Sequence, residues 1–358
     1  SIKIIGVLTA TGVPTPIDGI KFLQVGVSRQ EKKRSIVHRI LRELLIGFRA
    51  SKKVYTLRKS IDVLYISSPP YITSVILVLT CKLLKIKYIF EVRDVYPEAY
   101  LHAGLLNAQS ISIKILKGLS RFIYNQSILT ISATQGINEI IGASAPNSKR
   151  LHVSNGFPEA LISIPASKFE KFTIAFHGVL GEFQDIELLC DIARRIASFD
   201  DIELIVIGGG SKAEDLKEVF NAHKNLKFFD RMSFNNTIDI ISRCHIGLSL
   251  RTLDPISIRS FPVKNWEYLG LGIPSITTPI ASEASKFLLK HKCGININQG
   301  SSEEIIKSIL RYKDNKSDYS ALVENCISVR SNHTREALSN KAVNQILDNI
   351  LPKTSFKS

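Results

Sequence analysis

The sequence predicts an α/β protein made of two doubly wound, Rossmann-like domains, each built on a parallel sheet. Three observations carry this. The chain has 358 residues, and about 150 residues per domain gives two domains. From residue 62 onward, short continuous apolar runs alternate with longer segments of helical period. Strands that are apolar on both faces belong to sheets covered by helices on both sides, which is the parallel case. The alternation also occurs twice, on either side of an aperiodic stretch at 158–171 that holds Pro158 and Pro165.

In chain order, SIKIIGVL (1–8) reads as a buried strand and IKFLQVGV (20–27) as a second one. Residues 31–57 read as a long basic amphipathic helix. Ile36, Val37, Ile40, Leu41, Leu44, Leu45 and Phe48 form its wide apolar face, with Arg39, Arg42 and Arg49 opposite. Strands follow at 62–68, 88–92, 128–132 and 150–154, with helices between them at 69–85, 111–125 and 134–144. In the second half, strands are expected at 172–179, 202–210, 226–230, 246–251 and 275–278. Helices are expected at 186–198, 212–223, 236–244, 263–270, 282–292 and 302–313, with two more to finish the chain. The domains are then 1–157, a linker at 158–170, 171–334, and a last helix within 335–358.

Composition limits the function classes. Hydrophobic content of 44% with 22% charged residues fits a soluble globular chain. No run of about 18 uncharged apolar residues is present, so no spanning helix is expected. The opening residues lack a secretory signal pattern. Five cysteines without C-x-x-C spacing read as reduced thiols of a cytoplasmic protein. The net charge of +15 calls for an anionic partner. Without a zinc finger, a basic zipper or an RNA-binding aromatic signature, nucleic acid ranks below a phosphorylated substrate or a membrane surface.

The most informative stretch is PVKNWEYLGLGIPSITTP, Pro262 to Pro279. Pro262 precedes a short helix, and Gly270, Gly272 and Pro274 end it before a strand. Lys264 and Glu267 are three apart and share a helical face. A lysine at a helix N-terminus favours a diphosphate. A carboxylate such as Glu267 offers two acceptors to a pair of ribose hydroxyls. The alternative is a surface helix whose Lys and Glu are merely solvated.

This stretch resembles the P-x-K-x-x-E-Y-x-x-x-G-x-P segment of family 4 glycosyltransferases of the GT-B fold, in the branch that builds bacterial surface polysaccharides and lipopolysaccharides. EVRDVYPEAY (91–100) is similar to that branch's R-D-x-x-P-E segment, and SSPP (67–70) and SNG (154–156) match other landmarks. HGVLGEFQ (177–184) resembles the first loop of the second domain. The resemblance implies two domains facing a cleft, with the nucleotide sugar on the second. It implies donor contacts from Gly178, Gly181, Gln184, Arg231, Met232, Lys264, Glu267 and Tyr268. It also implies an acceptor side with Asp94 and Arg93 as catalytic candidates; the alternative is that Asp94 caps the next helix. The match begins at what resembles the family's second strand, so the first strand–helix unit is expected to be missing.

Two departures stand out. The family commonly places an Arg and a Lys in the 177–185 loop, where Val179 and Asp185 stand. Arg259 occupies the place of the first glutamate of a pair eight apart, so sugar recognition is expected to differ from the family's common pattern. His177 reads as a core or loop histidine. No D-x-D or metal-spaced cluster occurs, and no cofactor or metal ion is expected. The function expected from the resemblance is retaining transfer of a hexosyl or N-acetylhexosaminyl group. The expected donor is a UDP-sugar and the expected acceptor a polyprenyl-diphosphate-linked saccharide. The rivals are a nucleotide-sugar epimerase and a non-catalytic membrane-associated binding protein of the same fold. Residues 29–59 hold eleven Lys and Arg against two acids, +9 of the chain's +15. They are expected to dock the protein on anionic lipid at the inner face of the plasma membrane.

Overall fold

A computed structural model describes residues 4–8, 20–24, 36–102, 106–164, 167–297 and 301–350. The chain divides into two compact units. Unit 1 holds residues 1–133, 137–152 and 346–358, and unit 2 holds 134–136 and 153–345.

In unit 1, β1 (Ile4–Leu8) pairs in parallel with β2 (Ile20–Gln24) as a separate two-stranded sheet. Helix α1 (Ile36–Leu57) follows. A four-stranded parallel sheet then runs in sequence order: β3 (Val63–Ser68), β4 (Lys87–Val92), β5 (Leu129–Ser132) and β6 (Arg150–His152). Its connections are α2 (Tyr71–Leu84), α3 (Glu98–His102) with α4 (Ile111–Gln126), and α5 (Gln135–Ser144). The core is one cluster of Ile66, Val78, Tyr88, Phe90, Val92, Ile123, Tyr124, Ile137 and Ile141.

Helix α1 buries only part of its circumference. It packs on α2 through Ile46, Gly47, Ala50 and Val54, all buried. A β-carbon at Gly47 would come within 2.6 Å of Ile76, so the glycine permits the close approach. Glu43 is buried and accepts from the Ile72 backbone N–H at 3.1 Å, capping the first turn of α2. The apolar face read from the sequence therefore points the other way. Leu41, Leu45, Phe48 and Tyr55 are exposed, and Lys52 and Lys53 lie beside them. The residues expected to be helical at 31–35 lie outside those described.

Unit 2 opens with a short 3-10 turn, Glu159–Ser163, inside the expected linker, and its Leu161 is buried against Phe157, Trp266 and Leu269. The strands are β7 (Phe172–Val179), β8 (Ile202–Gly209), β9 (Leu226–Phe229), β10 (Ile246–Ser249), β11 (Ser275–Thr277) and β12 (Gly294–Asn296). Helices α6 (Ile186–Ile196), α7 (Ala213–Asn221), α8 (Phe234–Ser242), α9 (Pro255–Arg259), α10 (Val263–Gly270), α11 (Glu283–His291), α12 (Ser302–Asp314), α13 (Lys316–Arg330) and α14 (Arg335–Ile350) complete the chain. The unit boundary falls inside α14.

All strand pairs of this six-stranded sheet are parallel, in the order β12-β11-β10-β7-β8-β9. The chain winds outward from β7 through β8 and β9, then returns to β10 and winds the other way. The reversal lies between β7 and β10, and beyond the carboxyl ends of two such strands a doubly wound sheet binds its ligand. Alternation along β7 separates two cores. Ile174 and Phe176 face the α6 side with Leu189, Ile192 and Val206. Ala175 faces the α10 side with Ile205, Ile207, Ile241 and Tyr268.

Candidate active site

The residues at the β7–β10 switch come from three chain segments. The first is the end of β7. Gly178, the next-to-last residue of β7 and still paired with β8, has φ +118°, a conformation that side chains rarely adopt. A β-carbon at Gly208, its neighbour on β8, would lie 2.0 Å from the Gly178 carbonyl oxygen. The strand ends therefore approach as closely as they do only with glycine there. Beyond β7, Asp185 caps α6, accepting from the Leu188 N–H at 3.1 Å.

The second segment is α10. Pro262 precedes its first turn. Lys264 is only 8% exposed. Its Nζ donates to Gln184 Oε1 at 3.1 Å, sits 3.6 Å from the centre of the Phe176 ring, and lies beside Gly178. Burial holds its pKa well below the usual lysine value. The Arg251 charge lowers it further, and Glu267 opposes the shift. Neither Lys264 nor Arg251 has a carboxylate within 4.0 Å among the described residues.

Glu267 lies one turn on, its Oε2 2.6 Å from His177 Nε2. Burial pushes the His177 pKa down, with Glu267 opposing. The neutral imidazole has one N–H, and an ionised carboxylate only accepts. The proton therefore sits on Nε2 and donates to Glu267. Nδ1 is left to accept from the Tyr268 hydroxyl at 3.0 Å. That hydroxyl is also within 3.1 Å of the Ala175 carbonyl. The chain Tyr268–His177–Glu267 fixes one carboxylate oxygen and leaves Oε1 without a hydrogen bond among the described residues.

The third segment follows β10. Arg251 anchors by its backbone N–H to Thr278 Oγ1 at 3.1 Å, and its Nε donates to Ser257 Oγ at 3.1 Å. Its guanidinium lies 5.5 Å from the Phe183 ring centre.

Gly178, Gln184, Lys264 and Glu267, expected from the sequence, thus converge. Gly181 turns the same loop beside Ser211. Arg231 is exposed near Gly209, and Met232 packs partly against the α10-side core. Tyr268 is corrected. It is 0% exposed, covered by β7 and β10, so it cannot touch a donor and instead positions His177. The solvated-surface alternative for Lys264 fails on its burial. His177 is a core histidine, as its sequence context suggested, but with an added positioning role. Arg251 was missed. Its signal was its place at the carboxyl end of a strand, two residues after Ser249.

In unit 1, Arg93 and Asp94 follow β4 and are exposed. Asp94 makes no side-chain hydrogen bond among the described residues, and α3 starts four residues later, so Asp94 does not cap it. Although its surface is open to solvent, the protein around it displaces part of its hydration and raises its carboxyl pKa, with Arg93 opposing. Among the described residues no three His, Cys, Asp or Glu side chains group as a metal site.

Residues 159–328 match the family described as "Glycosyl transferases group 1". Every site residue of unit 2 named above lies in that span. Over 96% of this chain and 91% of that one, the chain superimposes on the HepE protein of Anabaena in complex with UDP and glucose, with TM-score 0.70 and 12% identity. WaaG, a glycosyltransferase involved in lipopolysaccharide biosynthesis, matches over the same shares with TM-score 0.67 and 14% identity. The fold is GT-B. In sequence, the chain is 22% identical over 233 residues to the curated "Probable glycosyltransferase WbjE" of Pseudomonas aeruginosa, 61% of this chain and 58% of that protein. It thus spans less than two thirds of that relative's length.

Proposed function

We propose that the protein is a retaining glycosyltransferase of the GT-B type acting in bacterial surface-polysaccharide or lipopolysaccharide synthesis. The observation that carries this is the meeting of Lys264 and Glu267 at the switch point of a sheet whose sequence matches glycosyltransferases of group 1. Unit 2 holds the donor, a nucleotide-diphosphate sugar. Lys264 and the free N–H groups of the first turn of α10 bind the diphosphate. Glu267, oriented by His177, accepts from ribose hydroxyls. UDP is the favoured nucleotide because HepE, a structural neighbour, is known with UDP and with UDP-glucose.

In the transfer, the bond from the sugar's C1 to the β-phosphate oxygen breaks and its electron pair stays on that oxygen. The acceptor oxygen bonds to C1, and its proton leaves to a base. Lys264 stabilises the charge that develops on the diphosphate, so the reaction is proposed to need no metal ion. Asp94, with its raised pKa, and Arg93 serve the acceptor: the carboxylate orients or deprotonates its hydroxyl, and the guanidinium binds an acceptor phosphate. The acceptor is a polyprenyl-diphosphate-linked saccharide. No described helix is long and apolar enough to cross a membrane. The outward stripe of Leu41, Leu45, Phe48 and Tyr55, flanked by Lys52 and Lys53, supports peripheral docking of residues 29–59 on anionic lipid at the cytoplasmic face.

The deciding assay supplies a nucleotide sugar with and without a polyprenyl-diphosphate saccharide. Release of nucleoside diphosphate that requires the acceptor, with a labelled sugar appearing on it, supports transfer. Conversion of the donor into its epimer without acceptor would replace this reading with an epimerase.

A further inference from the structure

The loop after β7 lacks the basic residues that resemblance leads one to expect, yet the site is not poor in positive charge. Across the switch point, Arg251 follows β10 and forms an antiparallel bridge with Gln184, the residue whose Oε1 accepts from Lys264 Nζ at 3.1 Å. Gln184 thus brings the two cations to one place, and the Arg251 charge adds to the burial that lowers the lysine's pKa. Like charges held together in partly dry surroundings repel each other, and such a pair persists where an anion completes it.

The acids nearby are otherwise engaged. Asp254 Oδ1 accepts from the N–H groups of Ile256 and Ser257 at 2.9 and 3.0 Å, and Oδ2 from Thr252 Oγ1 at 2.9 Å. Glu267 is held by His177. The Arg251 side chain uses only Nε, toward Ser257. Its two terminal nitrogens make no hydrogen bond among the described residues, while Thr278 holds its backbone N–H and Ser257 and the Phe183 ring orient the side chain. A guanidinium oriented by its stem, with its fork unused beside a buried ammonium, suits two adjacent phosphates better than one.

We infer that Arg251 and Lys264 together form a two-cation cradle for the diphosphate of the donor. Arg251 supplies from β10 the charge that the loop after β7 does not. This rests on the reading that unit 2 binds a nucleotide-diphosphate sugar. A diphosphate diester carries two negative charges and gains a third as the sugar departs, so a second cation acts on binding and on leaving-group charge alike.

The test is titration calorimetry of the full chain with UDP, GDP and ADP and with the matching monophosphates. Wild type, Arg251→Gln and Arg251→Lys are compared, and thermal melts report folding. Arg251→Gln is expected to weaken the preferred diphosphate about 10-fold or more, the loss of one charge-assisted hydrogen bond, and its monophosphate distinctly less. If that variant does not fold, Arg251→Lys decides: it keeps the charge but not the fork, and weaker diphosphate binding is expected. A folded Arg251→Gln that binds the diphosphate like wild type overturns the cradle, as does equal loss for both nucleotides or wild-type affinity in the Arg251→Lys fallback. If no nucleoside diphosphate binds wild type at all, the donor reading fails and the cradle with it, so the two failures are distinguishable.

Discussion

Replacing Lys264 with Met should make the unliganded protein more stable and a poorer binder of its donor. Lys264 is almost wholly enclosed, and burial and Arg251 both hold its pKa well below that of a free lysine. The unfolded chain therefore takes up a proton that the folded state holds weakly. In the window between the folded pKa and the ordinary value near 10.5, stability rises with pH because the unfolded state binds more protons. At neutral pH the lysine thus subtracts stability. Met keeps the stem's contacts and removes that penalty. A higher melting temperature than wild type is expected in a thermal melt at pH 7. The same change should weaken a UDP-sugar by about 10-fold or more. A bound dianion raises the lysine's pKa again, so above the free-state pKa wild type should take up a fraction of a proton per donor bound. Calorimetry in buffers of different ionisation enthalpy measures this uptake, and a sugar nucleotide is the right probe because its diester does not titrate near neutrality. A Lys264→Met protein that is less stable and binds normally would refute the reasoning.

Glu267→Ala should weaken nucleotide-sugar binding by about 1.5–3 kcal/mol for each ribose hydrogen bond lost; unchanged affinity in a folded variant, read by calorimetry, would remove Glu267 from the site. Asp94→Asn should lower kcat far more than donor affinity. The acid limb of the wild-type pH profile should lie above 3.8, because the raised pKa means the working carboxylate is protonated, and lost, sooner as pH falls. Near-wild-type rates for Asp94→Asn would end its catalytic assignment. Reversing Lys32, Lys33, Arg34, Lys52 and Lys53 to Glu should abolish co-sedimentation with anionic liposomes, and binding that ignores lipid charge or survives the reversal would discard the docking surface.

The sheet of unit 2 was readable because its strands are long apolar runs set between capped helices. Asp185 before α6 and Ser282 before α11 are caps visible in the sequence, and both accept from backbone N–H groups as caps do. The short edge strand β12 was not foreseen: three residues, Gly294–Asn296, carry too little period. Helix α9 was missed for the same reason, at five residues, and the equally short α3 figured only as the helix for Asp94 to cap. The buried side of α1 was not legible for another reason. Its apolar residues cover most of its circumference, so period alone cannot choose the buried side. Small residues chose it, since Gly47 and Ala50 let α2 approach. Lys264 and Glu267 were legible as a motif, whereas Arg251 and His177 belong to the site only through strand register and topology, which sequence spacing does not report.

The geometry divides the site's residues into those that meet the ligand and those that hold them. Tyr268 illustrates the division. It is adjacent to Glu267 in sequence, but on α10 the next residue turns about 100° away and enters the core over Gly247, where a β-carbon would clash with its ring at 2.4 Å. A tyrosine there needs a partner for its hydroxyl, and its one proton is shared between His177 Nδ1 at 3.0 Å and the Ala175 carbonyl at 3.1 Å. The histidine is thereby fixed in the tautomer that donates to Glu267, and the carboxylate is aimed before any ligand arrives. Pre-aiming lowers the ordering cost of binding. The same logic applies to Lys264, whose amine is held by Gln184 and the Phe176 ring at the expense of folding stability. Stability is given up at Lys264 and recovered in the apolar faces of β7 and β10, and that exchange is why the Lys264→Met melt and the donor titration must move in opposite directions if the site is a donor site.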